Sequence, residues 1–239
     1  MLEGVTLEDQ FPPLTPTELV RIERLLNERF DYPSIPAELK RFLQQHNGCL
    51  LSPAKEDLGE VGIQVSVPFL EYAPVAGIFG VWQPRFDGQT PLHREWPELF
   101  ASNENSKENF NVLPDRMMSF AYEHRDSGSV YAISVAERDY GTVYFYYDQH
   151  MYSIFGRQRS IDSIGCCYYN QKIRSILESH GTSDDHIDAW EVGGEFDLDC
   201  ILDEPFDLTD ECVFDLGRAM FVQVAPSFDE FMNRLETFD

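Results

Sequence analysis

SVYAISVAERDYGTVYFYY, residues 129–147, contains two runs with strand chemistry and a turn between them. Ser129–Val135 and Gly141–Tyr147 are rich in Val, Ile, Thr, Tyr and Phe, which suit a pleated, half-buried surface. The polar connector Ala136–Tyr140 is closed by Gly141 and has the length of a common hairpin loop. Upstream, Asp126-Ser127-Gly128 supplies a turn, with Gly for a positive φ. Successive strand side chains face opposite sides. Val143, Phe145 and Tyr147 therefore share one face, and Thr142, Tyr144 and Tyr146 the other. Both faces are bulky, which predicts a hairpin in the middle of a sheet.

The chain before the hairpin reads as two helices followed by strands. Thr15-Pro16-Thr17-Glu18 is a capping box with proline at the first helical position, so two backbone N–H groups gain side-chain acceptors. Leu19, Ile22, Leu26 and Phe30 then recur at helical spacing. Pro36 opens a second helix, PAELKRFLQQH, with Leu39, Phe42 and Leu43 on its apolar face. Asn47-Gly48 stops it, since both residues tolerate the left-handed conformation. Such a helical pair needs an apolar surface to cover, and a sheet is the obvious one. Glu60–Val67 alternates as a half-buried strand. Gly77–Trp82 is a second strand whose glycines suggest a bulge or a close backbone approach. Gln83–Asn111 reads as a long surface connection with a short helix at Glu95–Ala101, and Pro226–Glu236 as the closing helix.

Four of these stretches, in order, resemble the SUKH superfamily of Smi–Knr-like proteins. They are IPAELKRFLQQHNG, VLPDRMMSFAYEHRDSGSVYAISV, GTVYFYYDQH and APSFDEFMNRL, covering about residues 15–150 and 225–238. The resemblance implies an α+β fold, with a helical hairpin and a C-terminal helix packed on a curved antiparallel sheet. It also implies no enzymatic activity. Its bacterial members are implied to be immunity proteins that neutralise polymorphic toxins, and its fungal relatives regulatory interaction proteins with several weak partners. The expected organisation is one domain over 1–239, with an acidic insertion at about 151–224 before the final helix.

That insertion begins with Tyr152–Tyr169, read as an extension of the sheet, and a helix over Asn170–His180 with Ile173, Ile176 and Leu177 inward. Charge then dominates. The chain carries 42 acids against 18 Lys and Arg, a net −24. Thirteen of the acids are Asp184, Asp185, Asp188, Glu191, Glu195, Asp197, Asp199, Asp203, Glu204, Asp207, Asp210, Glu211 and Asp215. No Lys or Arg stands between Arg174 and Arg218. Apolar residues thread the window, among them Trp190, and Phe196/Leu198/Cys200/Leu202 alternate with Asp197 and Asp199 as in a half-buried strand. Two readings follow: a solvated acidic face, or a docking surface for a basic partner built from those acids and Trp190. A charge run is usually a solvated face; against that reading stands the cost of crowding like charges, which destabilises a fold unless a partner or counterion offsets it.

The same charge disfavours nucleic acid and anionic membranes as partners. The most apolar window, Val65–Pro84, is interrupted by three prolines and two glycines and suits short strands rather than a spanning helix. An acidic N-terminus without a basic region and five cysteines without C-x-x-C spacing read as a cytoplasmic protein with reduced thiols. No cofactor or metal is expected. Asp197–Asp199 lacks the glycine and glutamate of a calcium loop, and the His180/His186 and His124/Asp126 spacings do not match helical ligand pairs. No nucleophile–base motif occurs. The resemblance and the acidic window together lead to the expectation of a cytoplasmic, non-enzymatic immunity protein for a nuclease or other basic toxin domain, the alternative being a regulatory interaction protein of the fungal kind with several weak partners.

Overall fold

The alternation in residues 129–147 becomes a hairpin that forms the fifth and sixth strands of a seven-stranded sheet in a computed structural model of the chain, interior to the sheet but off its centre. The structure describes residues 4–9, 11–54, 59–81, 98–104, 106, 113–123, 129–147, 163–192, 195–196, 198–203 and 208–238. Strands are β1 (Val5–Asp9), β2 (Cys49–Pro53), β3 (Glu60–Val67), β4 (Leu70–Pro74), β5 (Gly77–Ile78), β6 (Met117–Tyr122), β7 (Val130–Ser134), β8 (Val143–Tyr146), β9 (Glu191–Val192), β10 (Glu195–Phe196), β11 (Val222–Ala225) and β12 (Glu236–Phe238). Helices are α1 (Pro16–Phe30), α2 (Ala37–Gln45), α3 (Leu99–Glu104), α4 (Ser163–Ser179), α5 (Asp184–Trp190), α6 (Leu198–Asp203), α7 (Asp210–Gly217) and α8 (Phe228–Asn233). The fold is α+β. The chain forms two compact units, one of residues 1–65, 72–145 and 223–239, the other of 66–71 and 146–222.

The first unit carries the large sheet, in the order β1-β2-β5-β6-β7-β8-β11, and a three-stranded sheet, β12-β3-β4. Every residue of β6 and β7 is buried, as expected of strands covered on both faces. Ser134 and Thr142 close the β7–β8 connection through Ser134 N–H to Thr142 O, with Gly141 N–H returning to Ser134 O. Gly141 sits at φ +85°, the conformation glycine adopts most cheaply. On the sheet lie the predicted helical stripes. Leu19, Ile22, Leu26 and Phe30 of α1 and Leu39, Phe42 and Leu43 of α2 are all buried. The Thr15–Glu18 capping box forms in both directions. Phe120 meets Phe228 and Phe231 of α8 edge-on, at 5.7 and 5.3 Å between ring centres, the arrangement aromatic quadrupoles favour.

Two buried asparagines hold this unit together. Asn47, at φ +41°, donates to Pro12 O (2.8 Å) and Val81 O (3.1 Å) and accepts from Val81 N–H (2.8 Å). Gly80 packs against it so closely that a Cβ there would stand 2.0 Å from Asn47 O, which explains the glycine foreseen as a close approach. Asn103 serves a bulge. The β6–β7 register shifts between Ser119 and Ala121, and Asn103 takes up Ser119 N–H (2.9 Å) and Ser119 O (2.8 Å).

Several elements differ from the sequence reading. The expected strand Gly77–Trp82 is two residues long, followed by a parallel bridge from Gly80 to Glu98, because the Asn47 clamp diverts the chain. Trp82 lies outside the described residues. The short helix falls at Leu99–Glu104 rather than Glu95–Ala101, and α8 is shorter than Pro226–Glu236 because the chain turns into β12, paired with β3.

In the second unit, residues 163–169 are helical rather than sheet, so α4 begins seven residues before Asn170. Tyr169, Ile173 and Leu177, four apart, make one buried stripe, and this burial outweighs the strand propensity of the Tyr pair. Residues 152–162 lie outside the described residues. The strand expected over Glu195–Asp203 exists only as Glu195–Phe196 and then becomes α6. Leu198 and Leu202 satisfy both patterns, being two alternations or one helical turn apart. Ile201, buried beside Leu198, decides for the helix.

Candidate protein-binding face

The acids of residues 184–215 whose side chains are described fall into two groups. Asp188 and Glu191 are held by Arg174 of α4, which donates to Asp188 at 3.1 Å and also to Glu191 and lies 3.9 Å from Glu178 one turn on. These carboxylates, Glu191 foremost, raise the Arg174 guanidinium above its ordinary pKa. Asp215 is held by His180, whose Nε2 lies 2.9 Å from Asp215 Oδ2. The second group stands at two helix starts and is exposed, as Asp188 of the first group also is. Asp184 and Asp185 occupy the first turn of α5, after Ser183, and Asp210 and Glu211 the first turn of α7, after Thr209. Thr209 caps α7 by accepting from Cys212 N–H. Negative charge in a first turn also interacts favourably with the helix dipole, so these four acids support their own helices.

The two helix starts converge on a cavity of about 220 Å³ lined by His180, Gly181, Thr182, Ser183, His186, Leu208, Thr209 and Cys212. Burial, then Asp215, pushes the Cys212 thiol up, so it is a poor nucleophile. Trp190 is half-buried, its ring 6.2 Å from that of His186. At the other end of the window Arg218 is buried, with its guanidinium 3.6 Å from the centre of the Phe214 ring. Lys172 donates to Phe221 O at 2.8 Å, and burial lowers its amine to about 8.

The sequence reading named Asp184, Asp185, Asp210 and Glu211 among the acids of a docking surface, and the structure brings the two helix starts that carry them to one cavity. Glu195, Asp199 and Asp203 are located by their backbone in β10 and α6. Asp197, Glu204 and Asp207 lie outside the described residues, as do His124 and Asp126. Arg174 and His180 were missed as partners of the acids, although the i,i+4 spacing of Arg174 and Glu178 is visible in the sequence. The tyrosines divide. Tyr146 and Tyr169 are buried, while half-buried Tyr147 and Tyr168 pack on Phe69, at 6.3 and 5.6 Å. Among the described residues no group of three or more His, Cys, Asp or Glu could hold a metal ion, and no helix is long and apolar enough to cross a membrane.

The fold is α+β with helices on an antiparallel sheet, and exposed acids stand at the starts of α5 and α7. A family model, the SMI1 / KNR4 family (SUKH-1), matches residues 13–162, more than half of the chain, and the chain belongs to that family. Neither the curated proteins nor the solved structures give a match.

Proposed function

We propose that the chain is a non-enzymatic immunity protein that binds and neutralises a toxin domain with a basic surface. One observation carries the reading. Residues 66–71 and 146–222 hold seventeen acids and five Lys or Arg, half of the −24, and four of the described acids are exposed at two adjacent helix starts. Family membership supports a protein-binding role; the charge supplies the kind of partner. A nuclease toxin needs a basic cleft to hold phosphate, and a carboxylate-bearing surface competes for it. Long-range attraction speeds encounter, while apolar contacts slow release.

The test is to look for a toxin domain encoded beside this gene and to co-produce the two. Growth is expected to be restored, and the association rate of the purified pair to fall steeply with salt as screening shortens from about 10 Å at 0.1 M to about 3 Å at 1 M. Absence of protection, with both proteins folded and produced, refutes the proposal.

A further inference from the structure

We infer that β1, the open edge of the large sheet, pairs with an extended, basic strand of the partner; the inference rests on the immunity reading and adds a second point of contact. Backbone direction comes first. Ala54 N–H donates to Gly4 O at 2.8 Å, and the register runs evenly from Val5 opposite Pro53 to Asp9 opposite Cys49. Facing pairs of an antiparallel ladder alternate, so Thr6 and Glu8 turn their N–H and C=O toward β2, while Val5, Leu7 and Asp9 turn theirs away. Among the described residues nothing bonds to these outward groups, and no strand lies on that side of β1. Elsewhere such backbone is taken. Arg234 donates to Val224 O of β11, the opposite edge, at 2.9 Å, and the Tyr131 hydroxyl to Ala73 O and Pro74 O of β4.

Side chains and charge select the occupant. β1 has no proline, lysine or bulge, the usual means of blunting an edge. Buried Val5, half-buried Leu7 and exposed Asp9 share one face, with exposed Thr6 and Glu8 on the other. Asp9 is shared with His46 at 2.9 Å, whereas Glu8 has no hydrogen bond or ion pair among the described residues. A second copy is a poor occupant, because it would bring another −24 to the edge. A strand with lysine or arginine opposite Glu8 and Asp9, and β-branched residues opposite Val5 and Leu7, fits. Opposite charges and apolar pairs across neighbouring strands stabilise them. In such pairing the main-chain bonds supply affinity and the alternate side chains specificity.

The experiment titrates the full chain at low salt, followed by NMR, with the peptide acetyl-TKKVTVT-amide, whose lysines fall opposite Asp9 and Glu8, and with acetyl-TEEVTVT-amide. In the free chain the amides of Thr6 and Glu8 are expected to exchange slowly and those of Val5, Leu7 and Asp9 fast. The basic peptide is expected to protect the latter three and to bind at least about threefold more tightly than the acidic one. Leu7→Pro removes an outward N–H and leaves the β2 ladder whole; it is expected to abolish binding, while Leu7→Val keeps it. Glu8→Lys tests the charge in a chain with its edge intact, and is expected to remove the preference for the basic peptide. Outward amides already protected in the free chain, equal binding of the two peptides, binding that survives Leu7→Pro, or a preference unchanged by Glu8→Lys each overturns the inference. If Leu7→Pro folds, loses the peptide and still protects against the toxin, the pairing falls and the immunity reading stands.

Discussion

Replacing Asn47 with alanine tests the claim that a single buried amide fixes the junction of α2, β2 and the segment after β5. The side chain is fully buried and makes three hydrogen bonds, to Pro12 O, Val81 O and Val81 N–H. Each such bond contributes about 1 kcal/mol net, and more when its buried partner finds no water. Alanine at φ +41° adds strain of about 1 kcal/mol. The sum predicts a loss of about 3–5 kcal/mol, a large part of a typical domain's stability. Asn47→Gly loses the same bonds without the backbone strain and is expected to be about 1 kcal/mol more stable than Asn47→Ala. Asn47→Asp keeps the acceptor for Val81 N–H but turns an oxygen toward two carbonyls, so at neutral pH it is expected to be no better than alanine. Urea unfolding followed by far-UV circular dichroism measures all three. If every variant lies within about 1 kcal/mol of the parent, the amide does not hold this junction.

Stability is expected to rise and then fall with pH in the alkaline range. Burial lowers the Lys172 amine to about 8 from 10.5, so between those values the unfolded chain binds more protons and stability rises with pH. Burial raises the Tyr32, Tyr131 and Tyr169 hydroxyls above 10.0, so the unfolded chain loses protons first above that value and stability falls again. Lys172→Met is expected to abolish the rise between pH 8 and 10, measured by urea titrations at each pH; an unchanged profile refutes the assignment. Tyr131→Phe strips the hydroxyl from Ala73 O (2.8 Å) and Pro74 O (3.0 Å) and is expected to cost about 1–2 kcal/mol by the same assay. Arg174→Gln releases Asp188 and Glu191, so amide exchange should quicken across α5 while α1 and α2 keep their protection. Among the thiols, exposed Cys167 should alkylate in the native protein, whereas Cys49, buried and pushed up to about 12, should react only after unfolding, as read by peptide mass spectrometry.

The elements legible in the sequence are those whose signal is local. The α1 capping box and stripe, the apolar face of α2, and the hairpin whose connector closes at Gly141 all stand in the structure as their spacing implies. In each, the residues that specify the element are within one or two turns or pleats of one another. The acids of the candidate face were equally visible, because charge is a property of composition. Their grouping was not. Which carboxylates are held by a cationic or imidazole partner depends on Arg174 and His180, fourteen or more residues away from Asp188 and Asp215, and no periodicity encodes that distance.

Short elements were the least legible. β5 and β10 are two residues each, too short to show an alternation, and exist because neighbouring strands supply their hydrogen bonds. Residues 198–202 carry a pattern compatible with both strand and helix, and burial of Ile201 beside Leu198 settles it. The sequence by itself determined where helices start, where the chain turns and how much negative charge it carries, since capping, φ preference and ionisation act on single residues. Tertiary structure alone decided the strand order, the use of Asn47 and Asn103 as buried clamps, and the meeting of two acidic helix starts at one cavity. Those outcomes depend on contacts between residues far apart in the chain, whose free energy exists only once the core has formed.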